Sequence, residues 1–244
     1  MHPLRWLFIL HEFVSVPRFA ILLLTIVPAL LLCGGGLAES HAQVVTKTAD
    51  GFDFPVAPPT AEGFYKSRGF RAGGHLGEDW LLSDGSSSKS LGKPVYAIGN
   101  GMVVLARDIR VAWGYVVMVR HAWIENKQLK FADSLYAHLD RISVREGQQI
   151  SKGQQVGTIG NNHGMYPAHL HFEIHKDLSI GVNHAQGTRD LRSYWLPTEF
   201  ITSRRHLGGG GRKVPTPAAN FLLPSADHPW FCLLYTSPSP RDQR

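Results

Sequence analysis

His169-Leu170-His171-Phe172-Glu173-Ile174 is the stretch from which the rest of the chain is best approached. Successive side chains of a strand point to opposite faces. His169 and His171 therefore share one face, about 6–7 Å apart along it. Leu170, Phe172 and Ile174 make an apolar stripe on the other face, which packs into a core and turns the histidines toward a groove. One histidine of such a pair can bind a metal while the other faces the metal's open position. Upstream, His75-Leu76-Gly77-Glu78-Asp79 adds a histidine and a carboxylate, and a lone His138 lies between the two clusters in Tyr136-Ala137-His138-Leu139. Together they supply the nitrogen and oxygen donors of a catalytic zinc, which takes three protein ligands and keeps a fourth position for water. In a straight strand, His75 and Asp79 would stand about 13 Å apart, whereas zinc bonds are about 2 Å. They can share an ion only if the chain turns between them, and Gly77 permits that bend.

The flanking sequence is rich in strand and turn signals. Gly92 to Ile98 is a turn and then a strand, and Gly99-Asn100-Gly101 predicts a tight turn from which Met102 to Ala106 returns as a hairpin partner. Tyr115 to Arg120 (YVVMVR) is a β-branched run expected to be buried, and Phe131 to Leu139 holds another strand. Gly147, Gly153 and Gly157 punctuate short strands up to Ile159. Arg189 to Ile201 closes the domain, with a short helix. Strands recurring with turns between them predict a mainly β fold: an antiparallel sheet or barrel-sandwich hybrid with a substrate groove and few short helices.

At 244 residues and 43% hydrophobic, the chain is long enough for one domain with a substantial core. The formal net charge of +6 suits an anionic polymer such as a cell wall. There is no Lys/Arg run with interleaved aromatics, which argues against a nucleic-acid partner. Near the N-terminus, Arg5 and Arg18 precede an apolar run of 15 residues, Phe19 to Cys33, short of the roughly 20 that span a bilayer. Small residues then lead to Ala42. This reads as a signal peptide over 1–42, or as an uncleaved N-terminal anchor. Residues 43–60 are polar and Pro-rich and read as a linker or lead-in strand, 61–201 as the folded domain, and 202–231, with glycines 208–211, as a flexible tail. Residues 232–244 begin CLLYTSPSPRD, which matches one reading frame of a transposase sequencing adapter; this segment is set aside from the fold. With Cys33 and Cys232 both outside the domain, no disulfide or thiolate ligand is expected, so any zinc is held by His and carboxylate.

The ordered set H-x-G-x-D, Y-A-H-L and H-L-H-F-E resembles the LytM/lysostaphin-type zinc metallopeptidases, which cut peptide bonds in peptidoglycan. The resemblance runs from about Gly63 to Ile201. It includes Gly92-Lys93-Pro94-Val95-Tyr96-Ala97, Gly114-Tyr115-Val116-Val117, Lys152-Gly153-Gln154 and Val156-Gly157. It implies that His75, Asp79 and His171 bind Zn2+, that His138 and His169 assist catalysis, and that the fold is an antiparallel β structure with a narrow groove. It implies an endopeptidase acting on peptidoglycan peptide stems. With the N-terminal reading, the protein is expected to be an exported monomer, periplasmic or secreted, meeting a membrane only through an uncleaved N-terminal segment. The bond expected to be cut is a glycine bridge or one involving a D-amino acid, the latter favoured, in a Gram-negative periplasm. The alternative within the same family is a non-catalytic regulator that activates another wall hydrolase.

Some residues depart from the pattern. Glu78 replaces an apolar residue before the aspartate and is expected to meet solvent or an Arg. Asn161 to Ala168 replaces a Gly/Ser/Thr-rich approach to H-x-H, with Ala168 where proline is common. Glu173 is expected to form a strand-face salt bridge rather than to support a metal-binding histidine. His163 and His175 are expected on the surface.

Overall fold

The computed structural model describes residues 44–72, 74–182 and 192–219. The expected signal or anchor over 1–42 and the adapter-like segment lie outside these residues. In chain order the elements are β1 (Val44–Lys47), β2 (Phe64–Arg68), β3 (Glu78–Leu82), α1 (Ser87–Ser90), β4 (Pro94–Tyr96), β5 (Gly101–Asp108), β6 (Tyr115–Glu125), β7 (Gln128–Ile142), β8 (Gln149–Ile150), β9 (Gln155–Ile159), β10 (Leu170–His175), β11 (Tyr194–Trp195), α2 (Pro197–Ser203) and β12 (Lys213–Thr216).

The strands pair antiparallel throughout, and the main sheet runs β2-β3-β10-β7-β6-β5-β8. The mainly β, antiparallel expectation is met. β11 extends β10, and β9 joins β4 to β7. β6 and β7 are the long central pair. The apolar run on β6 is buried on both faces: Val117, Val119 and Trp123 enter the larger core, while Val116 and Met118 enter a second core on the opposite side. A strand sandwiched in this way needs apolar residues at consecutive rather than alternate positions, which is what YVVMVR supplies.

Three expectations are corrected. β4 and β5 do not form a hairpin: β4 pairs with β9, and β5 pairs with β6 and β8. A two-residue hairpin turn needs left-handed backbone, and neither Gly99 nor Gly101 has a positive φ. Their lack of a side chain serves close approach instead. A Cβ on Gly101 would lie 2.4 Å from the Arg120 carbonyl oxygen, and one on Gly99 would lie 2.8 Å from the Phe52 ring.

The folded unit also extends past both expected boundaries. β1, from the segment expected as linker or lead-in strand, is a strand, and it pairs with β12, from the segment expected as a flexible tail; Thr46 and Thr216 join their hydroxyls at 2.6 Å. Phe52 is fully buried against Trp123 and Phe200. Arg120, inside the sheet, pairs with Asp133 through two bonds of 2.8 and 2.7 Å and donates to the carbonyls of Pro217 and Ala218. The glycine run 208–211 is a packed turn rather than a flexible exit. The Gly211 N–H donates to Thr48 O, the Thr48 hydroxyl donates to Gly209 O, and a Cβ on Gly210 would meet Asp50 at 2.3 Å.

A buried polar chain crosses the core. The Ile98 N–H donates to the Tyr136 hydroxyl, which lies 3.0 Å from Ser134 Oγ, itself 2.8 Å from His121 Nε2; His121 Nδ1–H donates to Asn100 O at 2.9 Å. Burial lowers the His121 pKa to about 4, against the Asn100 carbonyl that favours its charge. Between pH 6.5 and 4 the unfolded chain takes up a proton that the folded chain refuses, so stability rises with pH across that window and falls on acidification. The full difference is about 3 kcal/mol. His121→Asn keeps a donor toward Asn100 and removes the titration. Its denaturant-derived stability is expected to fall less than that of the wild type between pH 7 and 4, by about that amount.

Candidate metal centre

The site is assembled at the junction of β3, β10 and β7. His171 on β10 stands directly opposite Asp79 on β3 and opposite Ala137 on β7. Cross-strand neighbours have Cβ atoms about 5 Å apart, so the register alone brings Asp79 and His171 together. His75 arrives from the turn before β3, held by reciprocal backbone bonds with Arg71. The chain bends at Gly77, where a Cβ would meet the Phe172 carbonyl at 2.6 Å and the His171 ring at 3.0 Å. Glycine is thus required there for space as well as for the bend.

His75 Nε2 lies 3.0 Å from Asp79 Oδ1, His171 Nδ1 lies 2.9 Å from the same oxygen, and the two nitrogens are 3.1 Å apart. These are the three residues whose donor atoms gather closely enough to hold one ion among the described residues. Zinc bonds of about 2.0 Å in a tetrahedron give ligand–ligand edges of about 3.3 Å, and the observed triangle is only slightly tighter. The chemistry of the donor set agrees. His75 Nδ1–H donates to the Gly69 carbonyl at 2.9 Å, which turns Nε2 toward Asp79 and His171. His171 Nε2 faces Glu173 Oε1 at 2.7 Å, which turns Nδ1 toward Asp79 and His75. Two imidazole nitrogens and a carboxylate oxygen aimed at one point make a donor set suited to a cation. Burial opposes charge on Asp79, but hydrogen bonds from His171 and His75 outweigh it and hold its carboxyl well below the usual range. Burial likewise opposes a charged His171, but its bonds to Asp79 and Glu173 raise it to about 9.

His138 and His169 stand beside this cluster. Their ring centroids are 4.9 Å apart, and His169 Nε2 is 3.7 Å from Asp79 Oδ1. His169 is the more open, with 16% of its side chain exposed against 4% for His171. Each has Nδ1–H tied to a backbone carbonyl: His138 to Trp113 at 3.2 Å and His169 to Pro167 at 2.7 Å. Nε2 of both is left as a proton acceptor. Burial, then the charges of His169 and His171, keeps His138 well below the ordinary imidazole value. Burial also lowers His169, against the Asp79 charge and the Pro167 carbonyl. Both therefore stay neutral near pH 7.

His138 reaches this position through a β-bulge. Tyr115 pairs with Leu139, but Val117 pairs with Tyr136, so β7 carries one extra residue, and His138 adopts φ 60°. This left-handed backbone costs about 1–2 kcal/mol, and the bulge re-aims the side chain, as bulges beside active sites do. It also explains why Ala137 and Leu139 enter opposite cores. The Trp113 and Tyr166 rings flank the cluster, 5.9 Å from His171 and 5.0 Å from His138.

The five residues singled out from sequence thus converge. The expectations for their neighbours are corrected. Glu78 is 3% exposed and is held by Lys66 at 3.0 Å and the Thr198 hydroxyl at 2.8 Å, rather than by solvent or Arg. Glu173 is fully buried and bonds His171, and its other oxygen lies 2.7 Å from His175 Nε2. His175, expected on the surface, is fully buried. Glu173 and His175 could have been found from the alternation that places them on the His171 face. His163 is half-exposed and pairs with Asp108 at 3.2 Å, as a surface histidine can.

Residues 83–185 match the family described as Peptidase family M23; this span holds His138, His169 and His171, and His75 and Asp79 lie just before it. The chain is 35% identical over 104 residues to Peptidoglycan DD-endopeptidase ShyA of Vibrio cholerae, covering 43% of this chain and 21% of that protein. It is 34% identical over 85 residues to Lipoprotein NlpD of Yersinia enterocolitica, covering 35% of this chain and 79% of that protein. To Murein hydrolase activator NlpD of Escherichia coli it is 31% identical over 116 residues, 48% of this chain and 27% of that protein. The chain spans about a fifth or less of ShyA, ShyB and the cell division protein DipM. Among solved structures, lysostaphin in solution aligns with a TM-score of 0.42 at 25% identity, over 63% of this chain and 56% of that one. The chain belongs to peptidase family M23.

Proposed function

We propose that the chain is an exported zinc metallo-endopeptidase that hydrolyses peptide cross-links in bacterial peptidoglycan. The observation that carries this reading is the convergence of three donor atoms, on His75, Asp79 and His171, beside two neutral histidines whose Nδ1 atoms are tied to backbone carbonyls. Bound zinc would polarise a scissile carbonyl and bring the pKa of water toward neutrality. Nε2 of His169 and of His138 serves to accept the proton of the attacking water and, once protonated, to steady the developing oxyanion and return the proton to the leaving amine. Trp113 O and Pro167 O hold the tautomers that make both histidines acceptors. The basic surface favours an anionic wall polymer, and the names of the ShyA and ShyB relatives carry a DD-endopeptidase activity. We take the scissile bond to involve a D-amino acid, and the protein to act as a monomer in the periplasm or outside the cell. If the apolar N-terminal segment is retained, it anchors the protein to the inner membrane.

A second reading, a non-catalytic activator of another wall hydrolase, is favoured by the activator name of the Escherichia coli relative. Incubating purified peptidoglycan with the protein, with and without chelator, separates the two by mass analysis of the fragments. Hydrolysis predicts that cross-linked muropeptides fall to monomers only without chelator. An intact wall, digested only when a second hydrolase is added, would replace the enzyme reading with the activator one.

A further inference from the structure

We propose that Glu173 and His175 are a buried positioning pair that commits His171 to presenting Nδ1, rather than Nε2, to the ion. This rests on the reading of His171 as a zinc ligand. The three side chains alternate along β10, on the face opposite Leu170, Phe172 and Ile174, which enter the core. Residues two apart on a strand are about 6–7 Å apart, so a glutamate between two histidines can reach both. Glu173 does so, with Oε1 2.7 Å from His171 Nε2 and Oε2 2.7 Å from His175 Nε2.

A carboxylate can only accept hydrogen bonds. Both rings must therefore carry a proton on Nε2 where they face Glu173, so the His171 nitrogen turned toward Asp79 and His75, and offered to an ion there, is Nδ1. The same bond blocks the half-turn of the ring that would put a carbon where Nδ1 now stands.

His175 acts through Glu173. It is fully buried, its Nδ1 has no partner among the described residues, and its one side-chain hydrogen bond there is to Glu173. An apolar residue would fill this place without the cost of burying a polar ring. What the imidazole adds is a second donor that fixes the outer carboxylate oxygen, so the plane of Glu173 cannot turn away from His171.

The test measures Zn2+ affinity of the full chain by competition with a chromophoric chelator. Loss of an outer-shell partner weakens metal binding about 10–100-fold, and Glu173→Gln is expected in that range. His175→Phe is expected to weaken binding about tenfold. His175→Gln, whose amide N–H replaces Nε2–H, should stay within about threefold of wild type. Long-range 1H–15N spectra of the zinc-loaded wild type should place the His171 proton on Nε2. A purely structural role would lower the melting temperature of the metal-free variants and leave both the zinc constants and the tautomer unmoved. Wild-type affinity in folded Glu173→Gln, or a His171 proton on Nδ1, overturns the proposal. If His175→Phe fails to fold, Glu173→Gln and His175→Gln still decide it. A wild-type chain that binds no zinc would instead bring down the reading of the site itself, and this proposal with it.

Discussion

Asp79→Ala is expected to leave a protein that retains no zinc after dialysis and digests no peptidoglycan. Asp79 Oδ1 is the vertex shared by both ligand histidines, at 3.0 Å from His75 and 2.9 Å from His171. It is also the only one of the three donors carrying a formal negative charge, kept ionised against burial by those two bonds. Without it, two imidazole nitrogens 3.1 Å apart remain, and a dication would sit in a buried pocket with no anion directly on it. The loss should exceed the roughly 10–100-fold expected for an outer-shell partner. Metal content by atomic absorption and fragment release from purified wall check the two halves separately. Wall digestion by a zinc-free Asp79→Ala protein would remove the basis of the assignment. His75→Ala is expected to behave in the same way.

His169→Ala is expected to keep zinc and lose turnover. His169 Nε2 stands 3.7 Å from Asp79 Oδ1, outside hydrogen-bond reach, and its Nδ1–H is anchored on Pro167 O. It therefore lies beside the donor triangle rather than in it, on the side most open to solvent. Removing a positioned proton acceptor costs about 10²–10⁴-fold in rate, while metal content should match the wild type. His138 calls for a different substitution. Its φ of 60° is strained for alanine but tolerated by asparagine, so His138→Asn tests the side chain without adding backbone strain. A similar loss of kcat at unchanged zinc content is expected. If either variant turned over at the wild-type rate, that histidine would have no part in proton transfer.

Much of the site was legible because metal chemistry leaves a short-range signature. His169 and His171 announce a shared strand face by their spacing, and the apolar stripe at Leu170, Phe172 and Ile174 says which way that face points. The same alternation extends to Glu173 and His175, but both were placed on the surface or in a salt bridge. Charged and titratable residues are mostly exposed, and burying them requires partners that local sequence does not reveal. Glu78 was misplaced for the same reason: Lys66 and Thr198, which hold it, come from β2 and α2.

The fold was legible where a strand's own residues reveal its environment, as in the doubly buried β6. It was not legible where pairing partners compete. Gly99-Asn100-Gly101 carries hairpin residues but makes no hairpin, because those glycines are used for close packing against Phe52 and the Arg120 carbonyl. The segment that reads as linker or lead-in strand and the one that reads as tail become β1 and β12 because each completes the other's hydrogen bonds across 170 positions of chain.

By itself the sequence determined the residue types, their order and the strand periodicity. Those are local properties, set by side-chain chemistry and the two-residue repeat of extended backbone. The tertiary structure alone decided the register that sets His171 opposite Asp79, the bulge that swings His138 into the cluster, and the Glu173 hydrogen bond that settles which nitrogen of His171 faces Asp79 and His75. Each of these depends on contacts between strands distant in the chain, where a shift of one residue would turn the same side chains to the other face of the sheet.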